Sequence, residues 1–121
     1  MKRTLTIHTD GLEGFRKRSL ERARKLDRGE LLEPEKIVTF DKAFKTLTPA
    51  RIGVFRKVKE EKKEISITAL AHSLKRSREA VSRDVTVLKS AGIVTVRNIA
   101  NPGHGKAAMV SPAAKKILVE I

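Results

Sequence analysis

Cysteine, tryptophan and tyrosine are absent from these 121 residues, and phenylalanine occurs only four times. Without cysteine there is no disulfide framework, no thiolate nucleophile and no Cys-based zinc site. With so few aromatics, the core must be aliphatic, and the base-stacking platforms of single-strand binders are missing. No run approaches the ~20 apolar residues that cross a bilayer, and the N-terminus lacks a signal peptide's apolar stretch. The expectation is a soluble cytoplasmic protein with no membrane contact.

What is abundant is positive charge. The chain holds 27 Lys/Arg against 14 Asp/Glu, for a formal net charge of +13 and a pI near 10.5. An excess of this size attracts polyanions and speeds encounter with them, so nucleic acid leads the candidate partners. The excess is uneven. Residues 1–47 carry 12 cations and 8 acids, whereas residues 48–121 carry 15 and 6.

The chain divides by pattern near residue 47. In the first part, "RTLTIHT" alternates Leu5 and Ile7 with Thr4, Thr6 and His8, the period of a half-buried strand. Leu12, Phe15, Ser19, Ala23 and Leu26 then share one stripe of a helix that Gly29 can stop. "EKIVTF", Glu35 to Phe40, reads as a second strand after Pro34. This strand–helix–strand arm, 1–47, is too small to stand without a partner surface. It either packs on the rest of the chain or, the preferred reading, completes itself with a second subunit; binding of another protein is the further alternative.

The second part, 48–121, is more regular. Thr48 and Pro49 form a cap-plus-proline helix start, and Ile52, Phe55 and Val58 continue its apolar stripe. "ISI" is a short strand, and Thr68 is the expected cap of a helix reaching Lys75 with Leu70, Ala71 and Leu74 inward. Ser77 caps a third helix, which Gly92 ends in a left-handed conformation. "IVTVR", the loop "NIANPGHGK" and "AAMV" read as a hairpin. Ser111-Pro112 repeats the cap-plus-proline signal, so a last helix is expected from Ala113 onward.

The third helix divides by face. Val81, Val85 and Leu88 define an apolar arc that Ala80, Val87 and Ala91 extend. Arg78, Ser82, Arg83, Thr86 and Lys89 lie on the other side, the small-polar and cationic mixture a major groove accepts. Asp84 falls inside the apolar arc, where a carboxylate is costly unless paired. It is expected to be structural, bonded to a helix N-terminus or to an arginine such as Arg51.

The order helix, short strand, helix, turn, helix, hairpin, helix, carried by "LTPARIGVF", "ISITALAHSLKRSREAVSRDVTVLKSAGIV" and the Gly-rich loop, resembles the winged helix-turn-helix of small prokaryotic regulators such as the MarR and ArsR families. The run "VSRDVTVLKSAGIV" is the sharpest part, and its basic-Asp-aliphatic pattern is similar to the DeoR type as well. The resemblance implies a mainly α fold with a small β-wing. It also implies a homodimer on double-stranded DNA, with recognition helix 78–91 in the major groove and wing 93–110 on the backbone or minor groove. The expected DNA contacts are Lys75, Arg76 and Ser77 in the turn, Arg78, Ser82, Arg83, Thr86 and Lys89 on the helix, and Arg97, His104 and Lys106 on the wing. The function so implied is a transcriptional regulator acting as a repressor at the nucleoid. The alternative is an antitoxin whose arm neutralises a toxin while the winged helix autoregulates the operon.

Catalytic and cofactor readings find no comparable footing. His8, His72 and His104 share no metal-ligand spacing with a carboxylate and read as solvated or hydrogen-bonded histidines. Gly103-His104-Gly105 lacks the strand–loop–helix setting of a phosphate cradle, and no serine sits on a nucleophile elbow. No enzyme activity, cofactor or metal is expected.

Overall fold

The computed structural model describes residues 4–37, 40–61, 63–101 and 105–120. The chain forms two compact units, one of Met1–Lys45 with Lys115–Ile121 and one of Thr46–Ala114.

In the first unit the alternation at the N-terminus becomes strand β1, Thr4–His8, with Leu5 and Ile7 buried. Helix α1, Gly11–Asp27, leads to strand β2, Glu35–Ile37, and a short helix α2, Phe40–Thr46, follows. Phe40 therefore begins a helix instead of ending a strand, and Val38 and Thr39 lie outside the described residues.

The expected C-terminal helix is not formed. Ser111 and Pro112 lie in a strand, and Lys116–Glu120 form another, here called β6. Ser111 shares a 3.1 Å hydroxyl contact with Thr95 instead of capping a helix. Ile117, Leu118 and Val119 are a β-prone run, and β1 supplies a ready partner. β6 joins β1 in parallel from Thr4↔Lys116 to His8↔Glu120, and β2 pairs with β1 on its other side from Thr6↔Glu35 to His8↔Ile37. The result is a three-stranded parallel sheet of order β2-β1-β6. With two sheets and five helices among the described residues, the fold is mixed α/β, not mainly α as expected.

The α1 stripe also differs from ordinary helix behaviour. Leu12, Phe15 and Leu26 are 71%, 41% and 60% exposed, and no α1 residue is buried. The face turned to the sheet is instead the one bearing Arg18 and Arg22. The reason is the sheet's own chemistry: this side of β1 and β2 carries Thr6, His8 and Glu35. Arg18 Nε lies 3.4 Å and Arg22 Nη1 3.8 Å from Glu35 Oε2, and Arg22 Nη1 donates to the Glu33 carbonyl at 3.0 Å.

The second unit contains helices α3, Pro49–Glu60, α4, Ile67–Leu74, and α5, Arg78–Ser90. Strands β3, Ile65–Ser66, β4, Val94–Asn101, and β5, Gly105–Pro112, make an antiparallel sheet of order β3-β5-β4. Its core is aliphatic with one aromatic ring: Val54, Phe55, Val58, Leu70, Val81, Val85, Leu88, Ile93 and Val110 are all buried. Each helix start is capped. The Thr48 hydroxyl accepts from the Arg51 N–H at 3.3 Å, with Pro49 in the first turn. Helix α4 is capped two residues earlier than expected: Ser66 accepts from the Ala69 N–H at 3.0 Å, which leaves the Thr68 hydroxyl for other work. Among the described residues no helix is long and apolar enough to cross a membrane.

Candidate nucleic-acid interface

Helices α4 and α5 are joined by Lys75-Arg76-Ser77. The turn is tight because Lys75 adopts a left-handed conformation, φ 54° and ψ 44°, and its N–H and that of Arg76 close back on the His72 and Ala71 carbonyls. Ser77 then opens α5, its hydroxyl accepting from the Ala80 N–H at 3.1 Å. Ending α5 requires the reverse device at Gly92, whose φ of 78° suits a residue without Cβ. The Ile93 N–H returns to the Leu88 carbonyl at 2.9 Å, and β4 starts immediately.

Helix α5 is divided as its periodicity requires. Val81, Val85 and Leu88 are at most 2% exposed. On the opposite side Arg78, Arg83, Thr86 and Lys89 are exposed, and Ser82 is half-buried. Arg78 Nε donates to Thr68 Oγ1 at 3.2 Å, which ties the start of α5 to the first turn of α4 and leaves the rest of the guanidinium outward. Thr86 Oγ1 donates to the Ser82 carbonyl at 3.0 Å, so this hydroxyl offers only acceptance to a ligand in that rotamer.

Asp84 is buried at 8% exposure and paired twice. Arg51 Nε, from α3, donates to Oδ1 at 3.3 Å, and Arg76 Nη2, from the turn, lies 2.8 Å from Oδ2. Arg51 is the partner the sequence suggests. Arg76 is the one it misses: a residue read as a phosphate contact is committed to an internal carboxylate. A carboxylate three positions after Val81 on an otherwise apolar arc is the signal available beforehand; it calls for a cation without naming which of the unit's six arginines supplies it.

The β4–β5 hairpin pairs from Val94↔Pro112 to Asn101↔Gly105. Arg97, read as a wing contact, donates from both Nε and Nη2 to the Glu64 carboxylate, the Nε bond measuring 3.1 Å. These bonds hold the Glu64 carboxyl below the usual carboxylate range and push Arg97 further up. Lys106 sits on β5 opposite Ala100, and His104 lies outside the described residues.

The first unit carries a separate charged cluster. His8, 6% exposed, stands between Glu35 (Nε2 to Oε2, 3.3 Å) and Glu120 (Nδ1 to Oε2, 3.2 Å). Arg18 adds a 2.6 Å bond to Asp10, which lowers the Asp10 carboxyl below its ordinary range. The Asp10 carboxylate lies where a Cβ on Gly14 would stand, so a larger residue there would push this exposed side chain aside and disturb its bond to Arg18. His8, Arg18, Glu35 and Glu120 line a cleft with Thr6, Arg22 and Pro34. Acids and cations are mixed in it, and among the described residues no group of three His, Asp or Glu could hold a metal ion.

A capped helix pair joined by a three-residue turn and followed by an antiparallel hairpin defines the second unit, and it is this unit that comparison identifies. Residues 46–113, more than half the chain, match the family HVO_A0114, and the chain belongs to that family. The chain is also similar to a solved structure titled possible transcriptional regulator from Methanosarcina mazei Go1, with 27% identity and a TM-score of 0.51. That match covers 55% of this chain and 56% of the other, so the chain spans little more than half of that relative. No curated protein matches the sequence significantly.

Proposed function

We propose that this chain is a double-stranded DNA-binding transcriptional regulator of the winged helix-turn-helix class, working by contact and not by catalysis. One observation carries the reading. Arg78, Ser82, Arg83, Thr86 and Lys89 occupy the free side of α5, whose other side is locked by Val81, Val85 and Leu88. A helix held in this way presents cations and small hydroxyls as one surface. Arginine grips guanine O6 and N7 with two donors, and serine and threonine reach either bases or phosphates. The +13 net charge supplies the sequence-independent part of affinity. The Methanosarcina relative's description as a possible regulator agrees with it.

In this reading α5 enters the major groove, Lys75 and the Ser77 hydroxyl meet phosphates, and the β4–β5 hairpin is the wing. The protein is a homodimer whose two α5 helices address a pseudo-palindrome, as in MarR- and ArsR-like proteins. It represses by occupying its operator, on the nucleoid in the cytoplasm. The test is selection of bound fragments from genomic DNA at a stated salt concentration. One enriched pseudo-palindrome supports the proposal. Strong, salt-sensitive binding with no preferred site would replace it with a non-specific DNA coat.

The antitoxin reading has one feature in its favour. The uncovered Leu12, Phe15 and Leu26 of α1 form an apolar strip that a protein partner could cover. Co-purification of a toxin that Phe15→Asp releases would support it.

A further inference from the structure

We propose that β6 is the dimer interface: two copies pair antiparallel through Lys116–Glu120 about a two-fold axis at Leu118. The proposal deepens the homodimer reading above and rests on it. Two three-stranded sheets would thereby become one sheet of six strands.

The argument begins with an edge. In the order β2-β1-β6, β6 has a partner on one side only among the described residues, so a row of its backbone N–H and C=O groups faces away from β1. β2 is the other edge, but it is three residues long. β6 is five residues long, contains no proline, and exposes Leu118 and Val119 at 39% each. Such a strand is a template for another strand.

The sequence of β6 then selects the partner. A two-fold interface must be self-complementary, and Lys116-Ile117-Leu118-Val119-Glu120 is so when read against itself in reverse. With Leu118 opposite Leu118 of the second copy, Lys116 stands opposite Glu120 at both ends, and Ile117 stands opposite Val119. Sliding the centre to Ile117 or Val119 breaks both charge pairs. The faces agree too. Lys116, Leu118 and Glu120 share the side of Thr4, Thr6 and His8, and Ile117 and Val119 share the side of Leu5 and Ile7. A two-fold axis normal to the sheet preserves these sides, so charges meet charges and the Ile117–Val119 pairs extend the apolar row. His8, 3.2 Å from Glu120 Oε2, holds that carboxylate in place while its side chain remains 63% exposed.

The exposed strip of α1 does not offer the same match. Residues 11–28 carry seven cations and three acids, so two copies laid together would repel.

Sedimentation equilibrium on the full chain tests this. The wild-type chain is expected to dimerise, and Lys116→Glu, which places like charges opposite each other twice, to weaken dimerisation about tenfold or more. Lys116 has no ion pair among the described residues, so circular dichroism of this variant should match wild type. The double variant K116E/E120K restores complementarity and should recover most of the affinity, despite losing the His8–Glu120 pair. Leu118→Cys provides an independent readout, because the chain has no cysteine of its own. Under mild oxidant it should form a disulfide-linked dimer, while Ser19→Cys on α1 should not. A dimer indifferent to Lys116→Glu and unlinked through position 118 would overturn the β6 interface and leave the dimer reading standing. A chain monomeric at high concentration would overturn both, and DNA selection would still judge the regulator reading separately.

Discussion

Arg76 Nη2 lies 2.8 Å from Asp84 Oδ2, so the turn between α4 and α5 is fastened to the buried side of α5. With Arg51 on the other carboxylate oxygen, one side chain joins α3, the turn and α5. Asp84→Ala is expected to cost about 1.5–3 kcal/mol, the range for hydrogen bonds to charged groups. The loss stays below that of a fully buried pair because the Arg51 and Arg76 side chains are 22% and 29% exposed and can reach water. Thermal melting is the measurement. A curve identical to wild type would remove the structural role assigned to Asp84.

Lys75 holds a left-handed conformation that costs a residue with a Cβ about 1 kcal/mol. Lys75→Gly should therefore raise the melting temperature by a few degrees while weakening binding to every DNA sequence alike. The slope of log affinity against log salt should fall by about one. Stability and affinity moving together in this variant would contradict the phosphate role.

Arg83 is exposed, and no hydrogen bond or ion pair engages it among the described residues, whereas Arg78 is braced by Thr68. Arg83→Ala should relax sequence preference by about 1–3 kcal/mol at one position of the site. Arg78→Ala should do the same and also loosen the start of α5. The check is competition between the selected site and random DNA; equal losses on both would mean that neither arginine reads bases.

Arg97 is exposed and Glu64 only half-buried, so their pair contributes little to stability, but its direction with pH is definite. The folded state holds the Glu64 carboxyl below its ordinary range. The contribution is therefore complete above the usual Glu range and is lost as pH falls through the lowered value. Glu64→Gln should flatten this part of an acid titration of stability. It also frees Arg97, and non-specific DNA affinity should rise at low salt. No rise would place Arg97 outside the interface.

Much of the second unit was legible because its signals are local. Thr48, Pro49, Ser77 and Gly92 act through backbone geometry within a turn of their own position, and the spacing of Val81, Val85 and Leu88 marks the buried side of α5. The same locality misled at Ser111-Pro112, where a helix-start signal lies in a strand. It also placed the α4 cap at Thr68, two residues beyond Ser66. Periodicity marks the apolar strip of α1 but does not say whether anything covers it.

By itself, then, the sequence determined the aliphatic core, the helix starts and stops around the turn, the two sides of α5 and the surplus of positive charge. Each depends on residue type or on spacing within one element. The tertiary structure alone decided that Lys116–Glu120 is a strand, because an isolated β-prone run acquires that state only when β1 accepts its hydrogen bonds. It likewise decided that Arg76 and Arg97 are engaged by carboxylates, Asp84 eight residues and Glu64 33 residues away in the chain. Ion pairs of this kind form where the folded backbone brings charges within reach, and no local pattern names the partner.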